Sequence, residues 1–147
     1  MRIVVQADPF DYGTECDTFG AGRNDIGAVV TFCGIVRDLP DTRLQVMEIE
    51  HYPGMTERAL TQIAQDATSR WSLCDCLIIH RYGLLHPGDR IMMVATAAPH
   101  RADAFAAADF LMDYLKSRAP FWKKEATNAG ATWVAAKDED EAALTRW

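Results

Sequence analysis

The sequence predicts an α+β fold in which a mainly antiparallel sheet carries two main helices. Three observations lead there. Short runs rich in β-branched residues come in adjacent pairs, two longer stretches repeat apolar residues at helical spacing, and clusters of proline, glycine and aspartate separate the runs. The 147 residues suit one domain, spanning 1–147, with no internal repeat or linker to divide it.

Ile3 to Val5 is the first expected strand, and Ala28 to Val36 is a longer apolar one bordered by glycines. Leu44 to Tyr52 follows. Between them, Asp38-Leu39-Pro40-Asp41-Thr42 is rich in breakers, so an exposed, mobile connection is expected with Arg37 at its near edge. Pro53-Gly54 ends the third strand. Leu60, Ile63, Ala64, Ala67 and Trp71 then recur on one helical face, with Thr56 as the expected cap. Cys74 to Arg81 and Arg90 to Ala97 are expected to pair as a hairpin with a long loop, Tyr82 to Asp89, in which Pro87-Gly88 suits the centre of a type II turn. From about His100 a second helix runs on Phe105, Ala108, Met112 and Leu115. It must stop near Arg118, because Pro120 disfavours a helical Ala119. Phe121 to Ala126 and Thr132 to Ala136 make two short strands around Asn128-Ala129-Gly130. Asp138 to Glu141 can open a last short helix, where acidic residues suit the N-terminal dipole.

Composition narrows the function. With 49% hydrophobic and 24% charged residues, the chain has the make-up of a globular protein rather than a disordered tail. The opening Met1-Arg2-Ile3-Val4-Val5 is not a signal peptide and no apolar run approaches a membrane span, so the cytoplasm is the expected compartment, with no membrane partner. The four cysteines, Cys16, Cys33, Cys74 and Cys76, are too sparse for a disulfide framework and are expected to be reduced. A net charge of -6 argues against a nucleic-acid or anionic-membrane partner, because the field of the whole molecule repels polyanions. Yet five cations (Arg101, Lys116, Arg118, Lys123, Lys124) face three anions (Asp103, Asp109, Asp113) between His100 and Lys124. That pattern describes a local anion site.

Pro99-His100-Arg101 opens the second helix, and a helix N-terminus offers unpaired N–H groups and a positive dipole end to a phosphate. From spacing alone, solvated side chains with Arg101 paired to a carboxylate fit equally well. Lys116 and Arg118 close the same helix, where cations are favourable in any case. The break at Pro120 reverses the chain, however, and can bring Lys116 and Lys123 to one pocket, where two ammonium groups depress each other's pKa and yield a reactive amine. Cys74 and Cys76 share a face if both lie on a strand, which leaves a sulfur relay or metal protein as an alternative. Small buried hydrophobes explain them better, and no other residue pattern suggests a metal site or a cofactor. His51 and His80 stand at strand ends and read as ordinary hydrogen-bonded histidines.

Four blocks then stand out: His51-Tyr52-Pro53-Gly54-Met55; His80 to Asp89, reading HRYGLLHPGD; Pro99-His100-Arg101; and Met112 to Glu125, reading MDYLKSRAPFWKKE. In this order they closely resemble the large, catalytic subunit of molybdopterin synthase, and Gly27 to Phe32 with Val36-Arg37 extend the likeness toward the N-terminus. Residues 7 to 24 and the loop after Arg37 match least. The resemblance implies an α/β hammerhead fold and a sulfurtransferase that converts cyclic pyranopterin monophosphate to molybdopterin. It also implies a small ubiquitin-like carrier whose C-terminal thiocarboxylate supplies the sulfur, and a heterotetramer built on a homodimer. Carried over by position, the substrate-binding set is Arg37, His100, Arg101, Lys116, Lys123, Lys124 and Glu125, with Lys116 and Lys123 catalytic. Some relatives have lysine where this chain has Ile35. The alternative of another class is a non-catalytic module that only binds the carrier, against which the presence of both Lys116 and Lys123 weighs.

Overall fold

The computed structural model describes residues 1–135 and 137–147. In chain order the elements are β1 (Arg2–Gln6), α1 (Tyr12–Thr18), β2 (Ala28–Ile35), β3 (Leu44–His51), α2 (Met55–Trp71), β4 (Asp75–Arg81), β5 (Gly83–Leu85), β6 (Arg90–Ala98), α3 (Arg101–Ser117), β7 (Phe121–Thr127), β8 (Gly130–Trp133) and α4 (Asp138–Ala143), followed by a 3₁₀ turn at Leu144–Arg146. The class is the expected α+β, with every ladder antiparallel except β1 on β4. The strands form two sheets, ordered β1-β4-β6-β2 and β5-β3-β7-β8. The long loop foreseen between β4 and β6 is the reason: its residues 83–85 form β5 and pair with β3 in the second sheet. Inside that loop the turn is as expected, with Gly88 at φ +93° and the Asp89 N–H donating to the His86 carbonyl.

The central strands of the first sheet, β4 and β6, are buried on both faces. Ile78 and Val94 face the two long helices, where Leu60, Ile63, Ala64 and Ala67 of α2 and Ala104, Ala107 and Leu111 of α3 complete one core. Each fully buried Leu or Ile there contributes about 1.5–3 kcal/mol. Leu77, Ile79, Met93 and Ala95 face the other way, against Phe10 and the α1 residues Tyr12 and Cys16. This short helix was not foreseen. Its seven residues carry no long apolar period, and its start depends on the Asp11 side chain accepting from the Thr14 N–H. A third cluster, Val36, Leu44, Met47, Ile49 and Leu85, seals the inner face of the second sheet.

Two other expectations change. Thr56 lies inside the first turn of α2 with its hydroxyl donating to the Tyr52 carbonyl, while Gly54 is the cap and its N–H is taken by the Glu57 carboxylate. The strand expected from Cys74 begins at Asp75, and the one expected over Thr132 to Ala136 runs from Gly130 to Trp133, Ala136 itself lying outside the described residues. The entry to α3 depends on Gly27, whose N–H donates to the Ala98 carbonyl. A Cβ at that position would stand 2.2 Å from the Pro99 carbonyl oxygen, so only glycine lets β2 start this close to the helix.

Candidate active site

Lys116 ends α3, where a cation complements the helix dipole. The Arg118 and Ala119 N–H groups both bond back to the Tyr114 carbonyl, and after Pro120 the chain returns as β7. After this reversal the Lys116 ammonium is among the charges that act on Lys123. Burial pushes the Lys123 amine below the usual lysine range, and the Lys116 ammonium pushes it the same way, while Asp140 and Glu125 oppose them and Lys137 adds to the depression. Lys116 Nζ is 4.0 Å from Asp140 Oδ1, on α4. That helix is pinned over the end of α3 by the Ser117 hydroxyl, which donates to the Asp140 carbonyl, and by an Arg118–Glu141 ion pair of 2.5 Å. Asp140 and Lys137 were not anticipated. Only their return in space to the end of α3 makes them part of the site, and spacing carries no sign of that.

Strand alternation sorts the residues of β7. Phe121, Lys123 and Glu125 share the face of their ladder partners His51, Ile49 and Met47, two of which belong to the sealed inner cluster. Lys124 points to the opposite face, where its Nζ lies 5.5 Å from the Trp133 ring centroid. It therefore does not face the same space as Lys123.

The remaining cations fall into two groups. β2 starts beside the end of β6 (Ala28 opposite Ala98) and finishes beside its start (Ile35 opposite Arg90). α3 leaves from the end of β6 and runs back over β6 and β2. Arg37, just past β2, thus lies toward the Lys116 end, whereas His100 and Arg101 lie at the other end of the helix. Fifteen helical steps separate Arg101 from Lys116, about 22 Å. Arg37, His100 and Arg101 are all exposed, and among the described residues none of them is in an ion pair with a carboxylate. An open cleft of about 550 Å³ lies beside the loop after Arg37, lined by Asp38, Arg43, Leu44, Gln45, Pro87 and Asn128.

The cysteine alternative does not fit this geometry. Cys76 is sealed in the core, where burial pushes its thiol up to about 12, and Cys74 lies off the strand with its thiol at the Asp25 carbonyl. Among the described residues no group of three or more His, Cys, Asp or Glu side chains is placed to hold a metal ion, and no helix is long and apolar enough to cross a membrane. Both histidines at strand ends are hydrogen-bonded: His51 Nδ1 to the Thr56 hydroxyl at 3.2 Å, and His80 Nδ1 to the Arg81 carbonyl at 2.8 Å.

The family model described as "MoaE protein" matches residues 5–118. The chain is 66% identical, over 100% of both chains, to a Cereibacter sphaeroides protein named molybdopterin synthase catalytic subunit. A solved structure, the molybdopterin biosynthesis MoaE protein from Burkholderia ambifaria, superposes with a TM-score of 0.85 at 53% identity, covering 99% of this chain and 97% of that one. The fold also recurs, at a TM-score of 0.75 and 17% identity over 92% of this chain and 90% of the other, in a Helicobacter pylori complex of subunits 1 and 2 of molybdopterin-converting factor.

Proposed function

The chain belongs to the MoaE family of molybdopterin synthase catalytic subunits, and on that premise we propose how it works. It takes sulfur from the C-terminal thiocarboxylate of a small ubiquitin-like carrier and places it on cyclic pyranopterin monophosphate, forming the dithiolene of molybdopterin in the cytoplasm. The observation that carries this reading is the Lys116–Lys123 pair, two amines from different elements, the second half-buried and lowered in pKa first by that burial and then by the charge of the other. An anionic thiocarboxylate must approach an anionic substrate, and fixed cations lower that repulsion as charge develops. Lys123, with its lowered pKa, is suited to exchange a proton with the reacting centre, and Lys116 to stabilise the carrier tail. Glu125, on the face of Lys123, is a substrate contact in this reading, and Lys124 serves from the other face of the strand.

Arg37, His100 and Arg101 bind the phosphate and pterin in this account, and about 22 Å of helix is too far for one small molecule to span. A homodimer resolves the distance. β2 is an edge strand with exposed Val29, Phe32 and Ile35, a form that pairs readily with another edge. Antiparallel pairing of two β2 strands carries the α3 N-terminus of one copy toward Arg37 of its partner. Each site is then made from two copies, and a carrier on each gives a heterotetramer. The functional test is incubation with thiocarboxylated carrier and precursor, followed by detection of the dithiolene product. A protein that binds carrier but forms no product is a binding module only.

A further inference from the structure

His80 is a buried titratable side chain for which the chemistry above has no use. Its ring, on β4 of the first sheet, stacks on Phe121, on β7 of the second, with centroids 3.7 Å apart and planes 16° from parallel. The Arg81 carbonyl can only accept, so the 2.8 Å contact places the proton on His80 Nδ1 and leaves Nε2 as a bare acceptor. Among the described residues no buried side-chain polar atom lacks a partner. Nε2 has no protein partner there, so it opens onto the small part of the ring that solvent reaches. Lys123 is close enough for its charge to act on this ring, and it follows Phe121 by two positions on the same strand face.

We propose that His80 is a positioning residue for Lys123: its stack on Phe121 holds the strand bearing Lys123 against the first sheet and so helps to keep the amine buried. The groups facing Lys123 are Lys116 from α3, Asp140 from α4, Glu125 on its own strand, Lys137 ahead of α4 and His80 from β4. His51, from β3, has its ring 6.1 Å from that of Phe121, and its charge also acts on His80. Of these, His80 alone belongs to the first sheet, so it links the amine to the most deeply packed part of the molecule. Burial holds the imidazole down at about 4, which keeps it neutral wherever the enzyme would work.

The proposal takes its importance from the catalytic reading of Lys123, but its test needs no substrate or turnover. Competitive labelling of the folded protein with acetic anhydride across pH, read by mass spectrometry at Lys123, gives the titration of that amine. His80→Phe keeps a stacked ring, so the Lys123 midpoint should stay within about 0.3 pH units of its value in the unmodified protein. His80→Asn keeps a donor to the Arg81 carbonyl but opens the wall to water, so the midpoint should rise toward the ordinary lysine value. A wild-type Lys123 titration in a folded His80→Asn protein overturns the proposal.

Discussion

Lys116 and Lys123 differ in how much the structure demands of them, and that difference makes their roles separable. Lys116 is exposed on a last helical turn, so Lys116→Ala should leave the melting temperature nearly unchanged. Its single-turnover rate with saturating carrier and precursor should nevertheless fall on the order of a hundredfold. Removing its charge should also raise the Lys123 midpoint, since the Lys116 ammonium is a direct cause of the depression. Arg101→Ala, by contrast, should weaken precursor binding by roughly 10- to 150-fold, the loss of about 1.5–3 kcal/mol of charge-assisted hydrogen bonding, which calorimetry can measure. His80 adds a pH dependence to stability. Its folded pKa of about 4 lies below the ordinary 6.5, so between these values the unfolded chain takes up a proton that the folded one refuses. Stability should therefore drop as pH falls from 6.5 toward 4, by about 3 kcal/mol from this group, and the loss should be complete below the folded value. Denaturant melts at pH 7 and pH 4 should show the drop, and His80→Phe should remove that share of it.

At the scale of elements, the loop between β2 and β3 is the part expected to move. It has no helix or strand from 36 to 43, but Asp38 Oδ1 accepts from the Leu39 and Leu44 N–H groups and ties its base. Hydrogen exchange should be fast at residues 39–43 and slow when precursor binds; strong protection in both states contradicts this. Gly27→Ala should destabilise the protein by a few kcal/mol and disturb the start of α3, because backbone rather than a flexible side chain blocks the new Cβ. The two long helices and most strands were legible in the sequence, since Leu60 to Trp71 and the stretch ending at Pro120 have strong periods and clear stops. The division into two sheets was not, because Gly83-Leu84-Leu85 is too short to signal a strand and its partner, β3, is more than thirty positions away. The lysine pair could be foreseen from the proline break, but Asp140 and His80 could not. Both reach the site only through tertiary packing, and each had a sufficient local explanation as a helix-start acid or a satisfied histidine.

For the whole molecule, the proposed account requires two copies, since His100 and Arg101, which it assigns to the phosphate, lie at the opposite end of α3 from Lys116. Sedimentation should give a homodimer at micromolar concentration and a species with two of each chain once carrier is added. A charged residue in the middle of the exposed edge, such as Phe32→Lys, should produce monomers. The central claim is that the lysine pair transfers sulfur from the carrier to the pterin. The most direct measurement is single-turnover formation of molybdopterin from thiocarboxylated carrier and precursor, comparing the unmodified protein with Lys123→Ala, each checked by a thermal melt. The account expects dithiolene product from the former and a loss of at least about a hundredfold in the latter, with its fold and carrier binding retained. Product formed by folded Lys123→Ala at the unmodified rate would contradict it.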